Sequence, residues 1–248
     1  IQPDQLTDEV FDHIFLGKGE AKKIAKKVNL DAKVLEQMRS EFKYFYPLDS
    51  RHSGRDLVPN HLTFMIFNHT AIFPEDLWPR QIATNGSVMM EGSKMSKSFG
   101  NIIPLREGLK KFGADPVRLS VMSTAELLQD ADFSPTIATS MRDRLERLYK
   151  FVSELMKTSG KRKTSSQPLT AIDRWMLSRL QEHIKKATEA MEKLAVRKAI
   201  HTVMYELDQD FQWYQKRTAD SARKGKTAVT YVVREVTDAR IRMLAPVA

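Results

Sequence analysis

Two hydrophobic rhythms alternate along the chain. Over residues 8–40, apolar positions recur at helical spacing in Glu9–Leu16 and Glu20–Arg39, with Gly17-Lys18-Gly19 as flexible punctuation, which predicts a helical insertion or connector across 1–40. Phe42-Lys43-Tyr44-Phe45-Tyr46-Pro47 is aromatic-rich and closed by proline, the pattern of a short strand ending at a turn. A helix is expected over Leu57–Phe73. Pro59 falls in its first turn, where the missing N–H is harmless, and Leu62, Met65, Ile66 and Phe73 lie mainly along one face. Gln81–Thr84 and Val88–Met90 read as short strands around Asn85-Gly86, ahead of a loop rich in Gly and Ser, and helical segments follow at Pro104–Phe112 and Pro116–Ala125. Strand, helix, strand, loop and helix in that order predict a parallel α/β sheet, so residues 41–134 read as half of a Rossmann-type nucleotide-binding fold.

Beyond Pro135 the alternation stops. Met141, Leu145, Leu148, Val152 and Leu155 stripe one helix, and Leu177, Leu180, Ile184, Ala187, Met191 and Leu194 stripe a second. Ala199, Ile200, Val203, Leu207, Phe211 and Tyr214 mark a third; Val229, Val232, Val233, Val236 and Met243 mark a fourth. Four such stripes suit a shared core, so 135–248 is expected to be an α-helical bundle and the whole chain α/β plus all-α. Thr158–Gln167, rich in Ser, Thr, Gly and Lys, reads as a mobile connection between the first two bundle helices.

Charge sharpens this division. The net charge is +9, yet residues 1–135 hold 17 basic and 18 acidic side chains while 136–248 hold 23 and 13, so the second part carries all the excess. Such a surface attracts polyanions through counterion release, which favours a nucleic-acid partner; a solvated lysine-rich helical face explains the charge equally well. The absence of cysteine excludes disulfides and thiolate metal sites. No apolar run approaches the roughly 20 residues that span a bilayer, so no membrane association and a cytoplasmic location are expected. The start, Ile1-Gln2-Pro3, has neither an initiator Met nor a signal-peptide pattern, which suggests an internal start within a longer protein.

The chemistry concentrates in Glu91-Gly92-Ser93-Lys94-Met95-Ser96-Lys97-Ser98-Phe99-Gly100-Asn101. Two lysines among small residues, with glycine at both ends, form a segment whose ammonium groups can approach a polyphosphate and stabilise a developing phosphate anion. A lone Lys-Ser-Lys would normally be a solvent-exposed basic turn. A Walker loop is the other competitor, but the spacing from Gly86 to Gly92 and the order Ser93-Lys94 both fail its pattern.

The segment resembles, over the five consecutive residues Lys94-Met95-Ser96-Lys97-Ser98, the signature loop of class I aminoacyl-tRNA synthetases. Upstream, Gly54-Arg55-Asp56 followed by His61 is similar to the family segment whose Gly and Asp hold the adenosine ribose and whose His lines the amino-acid pocket. On its own, Asp56 reads as a helix N-cap. The run Tyr46–Asp49, Ser53–Leu62 and Phe67-Asn68-His69 resembles leucyl-tRNA synthetases of the archaeal and eukaryotic type, and Gly113-Ala114-Asp115 with Arg118 and Asp132-Phe133 is similar to that family's passage into its bundle. Asp173-Arg174-Trp175, Arg197-Lys198-Ala199 and Trp213-Tyr214 resemble the bundle of several specificities.

The resemblance implies leucine activation by ATP, taken as substrate with Mg2+, and transfer to the leucine tRNA. Lys94 and Lys97 would be catalytic; Gly54, Asp56, Gly86, Met95, Ser96, Lys97 and Ser98 would bind ATP; His61 would line the leucine pocket. No tightly bound cofactor and no metal or zinc site is expected. Arg142, Lys150, Lys198 and Arg217 are chosen from charge and placement as tRNA phosphate contacts. The family's His-Ile-Gly-His signature is absent, so a missing N-terminal half is expected as a partner; without it, negligible adenylate formation and an exposed, association-prone sheet edge or face are expected. Two other readings compete: a non-catalytic basic RNA-binding module, and a methionyl, valyl or isoleucyl enzyme. His52, His183 and His201 read as ordinary surface or half-buried residues, and Trp175, Trp213 and Tyr214 as core rather than base-stacking platforms.

Overall fold

The computed structural model describes residues 1–96, 98, 100–158, 168–223 and 227–247. It divides into two compact units, 1–85 and 86–248.

In the first unit, helix α1 (Asp8–Phe11) runs into a wide turn, Asp12–Leu16, that ends at Gly17 with φ 71°. Helices α2 (Ala21–Lys27) and α3 (Ala32–Phe45) follow, and Val10, Ile14, Ile24, Ala25 and Leu35 form the buried core. Two expectations change here. The stretch Glu20–Arg39 is two helices rather than one: Asn29 turns left-handed at φ 52°, and Asp31 restarts the helix by accepting a 2.9 Å bond from the Lys33 amide. The aromatic run from Phe42 is helix, not strand. Leu35, Met38 and Phe42 repeat at helical spacing against the same core, and Phe42 stacks on Tyr46 at 4.8 Å, so packing at a period of 3.6 overrides β-propensity.

The first strand is therefore the next segment along, β1 (Arg51–Gly54), which pairs in parallel with β2 (Ile82–Asn85) from Arg51↔Ile82 to Gly54↔Asn85. A nearly continuous helical run joins them: a tight turn (Arg55–Leu57), a wide turn containing Pro59 (Val58–Leu62) and α4 (Thr63–Ile72). Leu62 is buried as expected, but Ile66 is 44% exposed, as are Phe64 at 67% and Phe67 at 65%.

The second unit opens with β3 (Val88–Met90) and β4 (Ser93–Lys94), then α5 (Leu105–Phe112), α6 (Ala114–Met122) and β5 (Ala131–Phe133). The sheet order is β4-β3-β5, with β4 antiparallel and β5 parallel to β3. Met90, Phe112, Phe133 and Ala138 form a small core. The bundle comprises α7 (Pro135–Thr158), α8 (Ala171–Glu192), α9 (Val196–His201), α10 (Leu207–Arg223) and α11 (Thr227–Leu244), with a wide turn between α9 and α10. The predicted stripes meet in it: Met141, Leu180, Ala187, Ile200, Val203, Leu207, Phe211, Val232 and Val236 are all buried. The expected connection between α7 and α8 lies, from residue 159 to 167, outside the described residues. Among the described residues, no helix is long and apolar enough to cross a membrane.

Candidate functional site

The loop that follows β3 is held by its two ends. Glu91 and Gly92 both take positive φ, 48° and 77°, which is the backbone a two-residue hairpin between Met90 and Ser93 requires. The hairpin is tied to β5, because the Gly92 amide donates to Asp132 Oδ1 at 2.8 Å and the Glu91 amide to the Phe133 carbonyl at 3.2 Å. Lys94 therefore leaves an anchored strand with its side chain exposed. At the far end, the Asn101 side chain closes the loop: its Oδ1 accepts from the Ser96 amide at 2.8 Å and its Nδ2 donates to the Lys94 carbonyl at 3.0 Å. The Ser96 and Ser98 hydroxyls bond each other at 2.6 Å. Met95 packs against the small core of Met90, Phe112 and Phe133, so its side chain anchors the loop. Lys97 lies outside the described residues.

Neither Asn101 nor Asp132 stood among the candidate site residues. Asn101 had a local signal, an amide side chain directly after the closing Gly100, which has φ 66°. Asp132 was marked only by the resemblance of Asp132-Phe133 to the family's passage into its bundle, since its clamping role depends on pairing between strands forty residues apart.

Gly86 serves the same unit differently. A Cβ there would run into the backbone carbonyl of Gln129, and its amide donates to the Leu127 carbonyl at 3.0 Å. The glycine is thus needed for close approach to that turn, whatever else it contacts.

In the first unit, Gly54 ends β1 with Asp56 folded back on it, whereas His61 lies beside Arg51, the residue that opens the strand. Asp56 is not an N-cap: it lies inside the turn Arg55–Leu57, exposed, and its carboxylate folds over Gly54 so closely that a Cβ at Gly54 would collide with Oδ1. Its carboxylate is exposed and can accept hydrogen bonds from hydroxyl donors. His61 is exposed beside Arg51, with 3.2 Å between its Nε2 and the guanidinium Nη2.

The four candidate phosphate contacts all lie in the bundle but in different settings. Arg142 sits 3.9 Å from both Asp143 and Glu146, Lys150 and Lys198 are exposed, and Arg217 stacks its guanidinium 3.7 Å over the Trp213 ring. Tyr214 is fully buried and Trp175 half-buried, as core residues should be, whereas Trp213 is 40% exposed and pairs with Trp175 at 4.5 Å.

His183 is the unexpected case. It is buried, with Nε2 2.8 Å from Asp210 Oδ2, which also accepts from Arg179 Nε at 2.8 Å. Burial acts to raise the Asp210 pKa, but the bonds from His183 and Arg179 outweigh it and hold the carboxyl below its ordinary value. Glu206 behaves likewise: burial is opposed by Lys186, bonded at 2.6 and 2.7 Å, and by His201, and the net direction is down. Asp173 repeats the logic. Its burial is outweighed by bonds from the Thr170 hydroxyl and amide and from the Tyr214 phenol at 2.6 Å, so its pKa is lowered, while burial and the carboxylate partner push the Tyr214 phenol up. Among the described residues, no three His, Asp or Glu side chains cluster in the manner of a metal site.

Residues 29–134 match the family described as tRNA synthetases class I (I, L, M and V), and residues 173–248 match the anticodon-binding domain of tRNA ligase. The chain belongs to the class I tRNA synthetases. Within that class its sequence is similar to the leucine–tRNA ligases of Methanocaldococcus jannaschii, 44% identical over 99% of this chain and 25% of the relative, and of Pyrococcus horikoshii, 41% identical over 99% and 25%. The chain thus spans about a quarter of the length of the curated relatives it matches. Its fold is shared with a LeuRS of Agrobacterium radiobacter solved with tRNA and LeuAMS, at TM-score 0.64, 23% identity and coverage of 82% of this chain and 26% of that one. It is shared also with the methionyl-tRNA synthetase of Mycobacterium tuberculosis solved with methionyl-adenylate, at TM-score 0.67, 20% identity, 83% and 43%.

Proposed function

We propose that this chain supplies the ATP-handling loop and the tRNA-facing bundle of a cytoplasmic leucine–tRNA ligase. Leucine attacks the α-phosphate of Mg-ATP to give leucyl-adenylate and pyrophosphate; the 3′-terminal ribose of the leucine tRNA then takes the leucyl group and releases AMP. Residues 1–40 act as a helical connector, 41–134 as the second half of the catalytic domain and 135–248 as the tRNA-contacting bundle. The rest of the catalytic domain comes from the remaining length that the relatives possess. The observation that carries this reading is the loop from Gly92 to Gly100, clamped by Asp132 at one end and Asn101 at the other, with Lys94 presented on its rim.

Lys94 and Lys97 gather charge on the departing pyrophosphate, Ser96 and Ser98 shape the loop around it, and Gly54 with the Asp56 carboxylate grips the ribose. His61 borders the leucine side chain. The test is leucine-dependent ATP–pyrophosphate exchange by this chain together with the remainder of a leucine–tRNA ligase such as that of Methanocaldococcus jannaschii. Lys97→Ala should lower exchange by about a hundred-fold or more. Exchange that follows methionine, valine or isoleucine instead would refute the leucine assignment.

A further inference from the structure

One short segment of the second unit, residues 123–132, touches both the bundle and the hairpin that presents Lys94. It leaves α6 at Ser123 and enters β5 at Ala131. On the bundle side it holds the start of α9. Ala195, the residue ahead of that helix, has no side chain that can accept from the first-turn amides, and Glu126 supplies the acceptor from outside: its Oε1 takes the Lys198 amide at 3.1 Å. Arg197 Nε donates to the Ser123 carbonyl at 3.3 Å, and Leu119 of α6 is buried with Ile200 and Val203. On the hairpin side, the Thr124 hydroxyl accepts from the Asp132 amide at 3.0 Å while donating to the Val121 carbonyl at 2.8 Å. Asp132 Oδ1 in turn accepts from the Gly92 amide.

The contacts therefore run in an unbroken order. They pass from the Lys198 amide to Glu126, back two residues along the chain to Thr124, across to Asp132, and across again to Gly92, two residues before Lys94. The segment between is itself tied down. The Glu126 amide donates to Gln129 Oε1 at 3.1 Å, the Gln129 amide returns to the Glu126 carbonyl at 3.0 Å, and a Cβ at Gly86 would collide with the Gln129 carbonyl. A displacement of α9 is thus carried to the hairpin instead of being taken up by a slack loop.

We propose that Glu126 and Thr124 are positioning residues for leucine activation: through them the start of bundle helix α9 sets the place of Asp132, and so of the hairpin that carries Lys94. The inference rests on the synthetase reading above and gives a role to residues outside the lysine loop. The competing account is that Glu126 only packs the turn against the bundle. That account predicts a lower melting temperature on its loss and no effect at Gly92.

Amide hydrogen exchange on the whole chain reads the link without any activity. Glu126→Ala should speed exchange at Glu91 and Gly92 by about three-fold or more, with the amides of α8 unchanged, and Thr124→Val should do the same. Glu126→Gln, which keeps an acceptor oxygen, and Thr124→Ser, which keeps the hydroxyl, should restore the parental rates. In leucine-dependent ATP–pyrophosphate exchange with the remainder of a ligase, Glu126→Ala should lower kcat/KM for ATP by about 2- to 30-fold and leave the KM for leucine unchanged. Combined with Asp132→Ala, it should cost less than the two single losses together. Parental exchange at Gly92 in Glu126→Ala, or a rise that extends to α8, overturns the link. Equal effects on ATP and leucine overturn the positioning role. If Gly92 responds as expected but the parent shows no leucine-dependent exchange, the link stands and the synthetase reading fails.

Discussion

Helices α4 and α8 are both apolar enough to need covering, and only one of them is covered within its own unit. On α8, Met176, Leu180, Ala187 and Ala190 are buried against α10 and α11, and even the polar Asp173 and His183 are taken inside with partners. On α4, Phe64, Ile66, Phe67 and Ile72 are all more than 40% exposed. A helix that is apolar on most sides is normally an interior one, so the contrast teaches that the bundle is energetically self-sufficient while the segment around α4 has a surface suited to burial.

The largest effect that sharpens this contrast should come from the polar knot in the bundle. Asp173→Ala removes the acceptor of the fully buried Tyr214 hydroxyl and the side chain that bonds back to Thr170, and should cost about 2–4 kcal/mol in urea unfolding. Adding Tyr214→Phe should recover part of that loss, since the stranded donor is then gone. A pure packing role for Asp173 would show no recovery.

Acid should act on the same region with smaller effect. Asp173, Asp210 and Glu206 are all held below their ordinary pKa values in the folded chain, so their stabilisation is present above the unfolded carboxylate range and is lost as pH falls through their folded values. Stability should therefore be level above about pH 5 and decline progressively below about pH 4. Fluorescence of a Trp78→Phe variant, which leaves Trp175 and Trp213 as the only tryptophans, follows the bundle alone. A bundle equally stable at pH 3 and pH 7 would contradict the assignment.

The smallest effect on stability belongs to α4. Phe67→Ser should change unfolding free energy by less than about 0.5 kcal/mol, because the ring has little burial to lose, yet it should reduce binding of a hydrophobic dye. A loss comparable with that of Asp173→Ala would erase the contrast between the two helices.

Much of this architecture was legible from period alone. The four bundle stripes, the strands at 82–85 and 88–90 and the two helices after the loop all reflect local spacing that any partner surface would have rewarded. The strand expected at Phe42 failed because its aromatic composition is a weak preference, whereas the spacing of Leu35, Met38 and Phe42 was set by a core that includes residues from α1 and α2. The loop's chemistry was visible in the five residues from Lys94, but its clamps were visible only in part.

By itself, then, the amino-acid order determined where the bundle helices and the strands at 82–85 and 88–90 arise, which segment carries the paired lysines and which half holds the excess positive charge, because each depends on residue identity or on neighbours a few residues apart. Only the tertiary structure decided that Asp132 anchors the β3–β4 hairpin, that Asp56 covers Gly54 instead of capping a helix, that His183 is enclosed with Asp210, and that Arg144 and Arg147 border open clefts. Those outcomes turn on distances between groups distant in sequence or on the exact path of the backbone, and neither is encoded in residue spacing.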